Sequence, residues 1–125
     1  MIEILKDFPD DVLAISATGR LTAADYRDVL IPEANRHFKT GRPLRMLAHF
    51  GPTFTGMTAG AAWADTRFGI GHWKEFGRIA IVSDSTWIKD SVLLFAPFFH
   101  HAIRIFSNDE LATAKEWILE KEETS

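Results

Sequence analysis

Two adjacent histidines, His100 and His101, are the residues whose type most readily suggests chemistry in this chain. Imidazole nitrogens carry protons near neutral pH and bind metal ions. Two histidines that share a metal on a helix are commonly four residues apart, because that spacing puts both rings on one side. Adjacent residues diverge by about 100° on a helix and point to opposite faces of a strand. The pair therefore predicts the junction between a helix and a strand, and no metal site.

A serine-rich turn, "SDSTW", is the second place where catalysis could be sought. It contains Asp84 and Ser85, but the chain lacks the G-x-S-x-G turn that exposes a nucleophilic serine. The chain also has no cysteine, which excludes thiolate catalysis and metal sites built on cysteine. We therefore predict no catalytic residue and no cofactor, and an enzyme ranks last among the functional hypotheses.

Length and charge narrow the classes of function further. The 125 residues correspond to about one domain, which we place at 1–121, followed by a frayed tail at 122–125. The net charge of -3 argues against a sequence-independent nucleic-acid binder, which needs a basic face. The longest apolar run, from Val92 to Phe99, is far shorter than the roughly 20 residues of a membrane span. Since the N-terminus shows no signal-peptide pattern, a cytoplasmic location is expected.

Hydrophobic periodicity predicts five strands, with helices between them after the first strand pair. The predicted strands are Ile2–Lys6, Val12–Thr18, Leu44–Phe50, Arg78–Val82 and Ala102–Phe106. The short link between the first two favours an antiparallel pair, and the helical links that follow require parallel crossovers. The predicted fold class is α/β: a single domain with a five-stranded mixed sheet in the order β-β-α-β-α-β-α-β-α. The sheet should be parallel except at its N-terminal edge strand, with the helices mainly on one face. The second face should be either covered by another element or modestly polar.

The helices are marked by the polar residues that can cap them. Thr22 caps the first helix, which Pro32 should kink or divide. In the helix after Thr58, Trp63 belongs to one apolar stripe, whereas Phe68 falls on the opposite side, where we expect it to be exposed. The last helix should begin at Ser107 or the residue after it.

The helix predicted from Thr86 to Phe99 carries more apolar surface than one face can bury. Its first stripe consists of Ile88, Val92, Phe95 and Phe99, and its second stripe of Trp87, Leu94 and Phe98. Together the two stripes cover more than half of the circumference, whereas a surface helix needs an apolar arc of about 100°. The surplus must be buried by the same chain, by a second copy or by a ligand. A membrane surface is disfavoured, because Lys89 is the only cation among these residues.

Polar residues follow several predicted strands and could bind a ligand at the carboxyl edge of the sheet. The candidates for an anion or phosphate loop are Thr53, Thr55, Thr58, Ser83, Asp84 and Ser85. The same residue types are also those that cap helices in any protein. The stretch "GPTFTGMTAG" is not a P-loop, because no lysine follows its glycines.

The segment from Gly77 to Ile118 resembles the SpoIIAA-like family, which is related to the STAS and CRAL-TRIO proteins. The residues that carry the resemblance are "GRIAIVSDSTWIKDSVLLFAPFFHHAIRIFSNDELATAKEWI", and the first half matches through "LTAADYRDVLIPEANR" and "RMLAHF". The resemblance implies an α/β fold of mostly unassigned function. Phospho-switch members carry a serine at a helix start after the third strand, where this chain has "GPTFTGMTAG" with Thr55 and Thr58 instead. Larger CRAL-TRIO relatives bind lipids in a pocket.

These observations favour a non-catalytic binding or regulatory module that acts through protein–protein contact as a homodimer. The alternative is a carrier of a small lipid or another hydrophobic molecule with an internal pocket. The residues expected in the interface or the apolar pocket are Trp63, Trp87, Leu94, Phe95 and Phe98. Nucleic acid and metal are not expected partners.

Overall fold

The structure is a computed structural model and describes residues 1–6, 8–72, 75–95 and 103–120. Five strands form one sheet in chain order. Their bounds are β1 Ile2–Ile4, β2 Val12–Leu21, β3 Leu44–Met57, β4 Phe76–Ser83 and β5 Ile103–Phe106. β1 pairs antiparallel with β2, and the other neighbouring strands pair in parallel. The predicted mixed sheet is confirmed.

The helical elements follow β2 and each later strand. Their bounds are α1 Ala23–Asp25, a π-helical segment Tyr26–Leu30, α2 Ile31–Phe38, α3 Ala59–His72, α4 Thr86–Phe95 and α5 Leu111–Leu119. Pro32 divides the first helical unit, as predicted. It has no N–H to donate to the carbonyl of Asp28, and its ring crowds that carbonyl. The chain accommodates Pro32 with a wider turn, in which the Ile31 N–H donates to the Tyr26 carbonyl.

β3 extends further than the sequence predicts. A loop is expected in its second half, whereas β3 continues to Met57 and stays paired with β2 as far as Leu21. The register shifts on either side of Gly19, whose φ of 61° costs glycine little. Thr53 and Thr55 therefore lie within a strand and not in a loop at the edge of the sheet.

The two faces of the sheet are covered by different helices. On one face, Leu13 of β2 belongs to a buried cluster with residues of the π-helical segment, α2 and α3. On the other face, Leu47 of β3 and Val82 of β4 pack with Ala114 and Ile118 of α5, all four fully buried. The prediction that the helices lie mainly on one face is confirmed, and α5 is the element that covers the second face.

Two arginines from neighbouring strands hold the C-terminal end of α5. Arg45 of β3 donates from Nη1 to the carbonyls of Ile118 at 2.7 Å and Glu120 at 3.0 Å. Arg78 of β4 donates to the Trp117 carbonyl at 2.9 Å. The last carbonyls of a helix have no donors within the helix, and its C-terminal end attracts cations. α5 is therefore fixed by its backbone as well as by its apolar side chains.

α3 presents a different face to the core from the one predicted. Phe68 is only 8% exposed, with its ring 6.0 Å from those of both Phe38 and Phe76, whereas Trp63 is 66% exposed. The expectation of an exposed Phe68 is wrong. The face that carries Phe68 also carries Ala61, which is small enough for close approach to the sheet, and aromatic rings from two other elements complete the contact.

Candidate interaction surface

α4 carries the largest set of exposed apolar side chains among the described residues. Ile88 points inward and is 6% exposed, whereas Trp87, Leu93 and Leu94 are 47%, 65% and 68% exposed. Trp87 and Leu94 are seven residues apart, so they lie on one side of the helix, and Leu93 borders the same side. We call these three residues the α4 surface. Single exposed apolar residues are normal, but large contiguous patches mark interaction sites.

The tryptophan of the α4 surface is supported by aromatic rings of β3. Trp87 lies 6.4 Å from the ring of Phe54, which in turn meets Phe50 edge-on at 5.0 Å. Phe50 and Phe54 pack against the buried cluster of the sheet. These rings contact one side of Trp87, and its other side is exposed to solvent. Aromatic side chains at protein interfaces are commonly supported in this way.

Two opposite charges lie on α4 beside the apolar side chains. Asp90 is three residues after Trp87 and four before Leu94, which places it between them on the helix. Lys89 is four residues before Leu93 and borders the other side. Asp90 is exposed and Lys89 is partly buried, and within the described residues neither forms an ion pair. The α4 surface is thus an apolar patch that includes the carboxylate of Asp90, for which no ion pair is seen among the described residues.

The structure describes only part of the predicted interface or pocket set. Trp63 and Trp87 both reach solvent, from α3 and α4, and no ring contact joins them in the described part of the chain. The side chain of Phe95, and Phe98 as a whole, lie outside the described residues. Leu93 was not among the predicted residues. Its position three residues after Asp90 puts the two side chains on the same side of the helix, and this spacing could have indicated that Leu93 belongs to the surface. The described members point outward, which favours a surface over an enclosed pocket.

Three of the residues predicted to form an anion loop accept hydrogen bonds from backbone N–H groups. The Thr58 hydroxyl accepts the Ala61 N–H at 3.0 Å, at the start of α3. The Ser83 hydroxyl accepts the Ser85 N–H at 3.0 Å, and the Asp84 carboxylate accepts the Asn108 N–H at 3.0 Å. Thr53 and Thr55 are exposed on β3. These bonds explain why such residues occur there, and anion binding at this edge stays a prediction.

His49 of β3 and Asn108 lie close together at the carboxyl edge of the sheet, on the side of α5. Partial burial lowers the pKa of His49, and the positive charge of Lys115 lowers it further, although a hydrogen bond to Asn108 opposes both effects. Asn108 Oδ1 is shielded from water and has no hydrogen bond of regular geometry among the described residues, so the contact with His49 is loose. The net lowering of the pKa favours the neutral form of the His49 imidazole.

Tyr26 and Asp65 form a second polar pair, between the π-helical segment and α3. The Tyr26 side chain is 2% exposed, and its hydroxyl donates to the Asp65 carboxylate. Protein surrounds the Asp65 carboxylate on most sides, although the residue keeps contact with solvent. This enclosure raises the pKa of Asp65, and the hydrogen bond from Tyr26 only partly offsets it. This pair could not be predicted from local patterns, because its members are distant along the chain.

The described residues can also be searched for metal sites and for membrane-spanning helices. Among the described residues, no group of three or more His, Cys, Asp or Glu side chains is placed to hold a metal ion. None of the helices in the described ranges is long and apolar enough to cross a membrane. His100 and His101 lie outside those ranges, so their assignment to a helix–strand junction stays a prediction.

Comparison with known proteins agrees with this fold. The model of the SpoIIAA-like family matches residues 12–119. The chain belongs to the SpoIIAA-like family. A solved structure with a SpoIIAA-like fold, that of an uncharacterized protein of the DUF3478 family from Shewanella loihica PV-4, is 25% identical. The match covers 94% of this chain and 93% of that chain, with a TM-score of 0.75. The comparison with curated proteins found no match. The resemblance seen in the sequence is confirmed for family and fold.

Proposed function

We propose that this SpoIIAA-like domain is a non-catalytic binding module that acts through protein–protein contact and forms a homodimer. One observation carries the proposal: Trp87, Leu93 and Leu94 are exposed together on α4, while the same helix buries Ile88. Exposed apolar side chains gain about 25 cal/mol for each square ångström that a partner removes from water. An aromatic anchor backed by Phe54 fits the usual centre of a protein interface.

The contact extends beyond α4. A standard interface buries about 800 Å² on each partner, which is more than a helix of ten residues presents on one side. Phe54, which is partly buried and adjoins Trp87, is the described neighbour that can extend it. The proposed module therefore uses α4 as the centre of its interface and adjoining residues as its rim.

The test is the mass of the protein in solution. We expect the wild type to have twice the mass of its 14.1 kDa chain at micromolar concentration. Leu94→Glu should weaken the dimer about a hundredfold, because an unpaired carboxylate buried in an apolar contact costs about 3 kcal/mol. Leu119→Glu is the matched control, since Leu119 is 42% exposed on α5 and outside the α4 surface. A wild type that stays monomeric at high concentration contradicts the homodimer.

The alternative is a carrier for a small hydrophobic molecule, and the run of rings from Phe50 through Phe54 to Trp87 supports it. Such a run offers an apolar wall along which an acyl chain could lie. Native mass spectrometry of the purified protein, after addition of a fatty acid, tests this idea. A stoichiometric complex with the fatty acid that quenches Trp87 fluorescence supports a carrier. A measured mass that corresponds to the protein without bound fatty acid contradicts it.

A further inference from the structure

The imidazole of His49 is accessible at the carboxyl edge of the sheet because the residue beside it is a glycine. Gly51 follows His49 by two residues on β3, which puts both on the same face of the strand. A Cβ atom at position 51 would lie 3.6 Å from both Cε1 and Nε2 of the ring. Apart from its chain neighbours, no other atom of the described residues comes within 4 Å of that point. The lack of a side chain at Gly51 therefore leaves Nε2 open to a ligand.

The same imidazole adjoins a hydrogen-bond acceptor that lacks a regular donor. Asn108 Oδ1 is shielded from water, and its contact with His49 is loose. A shielded polar atom without a partner is uncommon in a folded protein. A protonated His49 would satisfy it, because both ring nitrogens then carry N–H groups and the charge strengthens the bond. The described residues offer an imidazolium this acceptor, but no carboxylate within ion-pair distance.

A lysine of α5 supplies a positive charge near the same position. Lys115 lies close enough to His49 for its charge to act on the ring, and it is exposed. We infer that a small oxyanion, a carboxylate or a phosphate-like group, binds beside Gly51 between His49 Nε2 and the Lys115 ammonium. Open α/β sheets commonly bind ligands at this edge. The site is separate from the α4 surface and does not depend on the homodimer.

Binding of the anion should be coupled to uptake of a proton by His49. Partial burial and the charge of Lys115 lower the pKa of the free ring. An anion beside Nε2 acts in the opposite direction and stabilises the imidazolium, whose other N–H can then donate to Asn108 Oδ1. The affinity should therefore fall as the pH rises from the pKa of the free ring to that of the complex.

The acidic groups around His49 leave this position to an external anion. The acids on the elements packed around the ring are Glu3, Asp84, Asp109 and Glu110. The last three accept hydrogen bonds from the Asn108 N–H or from Ser107. Glu3 of β1 is separated from His49 by β2, so about 10 Å of sheet lies between them, and salt screens charges at that distance. Of the charged groups on these elements, Lys115 is the one that shifts the pKa of the ring.

A histidine NMR titration of the whole chain tests the site. Sulfate, whose charge is constant between about pH 5 and 8, represents a tetrahedral oxyanion, and acetate represents a carboxylate. Either anion should shift the Cε1–H signal of His49, which is identified by its loss in His49→Gln. Saturating anion should raise the pKa of that ring by about one unit. Tighter binding of sulfate indicates a phosphate-like ligand, and tighter binding of acetate indicates a carboxylate. Sodium chloride at matched ionic strength should leave the pKa unchanged.

Two variants locate the anion. Gly51→Ala fills the position beside Nε2 at an ordinary contact distance and should weaken binding about tenfold. Gly71→Ala is the matched control, because a Cβ atom there meets nothing within 4 Å, and it should bind as the wild type does. Lys115→Met should also weaken binding about tenfold, and it should raise the pKa of His49 in the absence of anion.

Three results would overturn the site. One is a His49 signal that neither sulfate nor acetate shifts, and another is an equal response to chloride. The third is unchanged binding in Lys115→Met or in a folded Gly51→Ala. None of these results bears on the homodimer, which the mass in solution tests separately.

Discussion

α4 and α5 are two short, apolar helices that each follow a parallel strand, yet the fold treats them differently. Ala114 and Ile118 of α5 are fully buried against the second face of the sheet, and Arg45 bonds the carbonyls at its end. In the described part of α4, only Ile88 is buried to a similar degree, and Leu94 is 68% exposed. Apolar content alone therefore does not decide whether a helix is part of the core.

What separates the two helices is the number of elements that meet them. α5 contacts β3, β4 and β5 at once. α4 buries Ile88, and its described ring contact with the sheet is that of Trp87 with Phe54 of β3. A helix that packs across several strands buries its apolar side, whereas a helix with fewer such contacts leaves part of that side exposed. We therefore expect substitutions in α5 to affect folding and those in α4 to affect association.

The largest effect on stability is expected from Ile118→Ala. Ile118 is fully buried, and removing a buried isoleucine side chain costs about 2–5 kcal/mol, because the transfer free energy is lost and a cavity remains. Leu94→Ala is the matched variant in α4 and should change the free energy of unfolding by less than about 0.5 kcal/mol. Urea unfolding at a concentration where the protein is monomeric measures both. Equal losses in the two variants would remove the distinction between the helices.

Arg45→Met tests the side-chain donors that bond the backbone at the C-terminal end of α5. Methionine keeps most of the apolar stem but removes the donors to the Ile118 and Glu120 carbonyls and to Asp11 at 2.8 Å. Hydrogen bonds to charged groups contribute about 1.5–3 kcal/mol, and we expect a loss of that size. Arg27→Met, which breaks the exposed pair with Asp28, should have a much smaller effect, because solvent screens an exposed ion pair. A similar loss in both variants would show that Arg45 contributes no more than a surface ion pair.

The sequence predicted the order and direction of the strands well, because both follow from local patterns. Alternating apolar residues identify strands, and Pro32 divides a helix wherever it occurs. The length of β3 was missed because the Thr- and Gly-rich stretch ending at Met57 reads as a loop, and its pairing with β2 depends on residues far away in the chain. Local patterns do not contain that information.

The candidate site was predictable only in part, for the same physical reason. The two stripes of α4 indicated a surplus of apolar surface, which included Trp87 and Leu94. The pattern in α3 was ambiguous, because both sides of that helix carry apolar residues. Phe68 was placed on the wrong side because its partners, Phe38 and Phe76, come from other elements. Which of two apolar faces is buried depends on packing, and the helix itself does not show it.

Asp65→Asn extends the comparison to α3, on the face of the sheet opposite α5, and should have the smallest effect on the free energy of unfolding. Enclosure raises the pKa of Asp65 above its ordinary value of 3.8, so the folded protein holds a proton that the unfolded chain releases. The wild type should therefore lose stability relative to Asp65→Asn as the pH rises from about 4 through the raised pKa, and remain the less stable of the two at pH 7. Asparagine keeps an oxygen that can accept the Tyr26 hydroxyl, so the variant removes the charge and preserves that bond.

Urea unfolding of both proteins at several pH values gives the difference directly, with Asp28→Asn as the control. Arg27 lowers the pKa of Asp28 by hydrogen bonding, so its removal should not reproduce this trend. A constant difference between the wild type and Asp65→Asn across the pH range would mean that the carboxylate is solvated like any surface acid. The expected trend would instead show that the Asp65 carboxylate, which has no ion-pair partner among the described residues, differs from that of Asp11, which pairs with Arg45. The fold would then tolerate a charge there at the expense of its own stability.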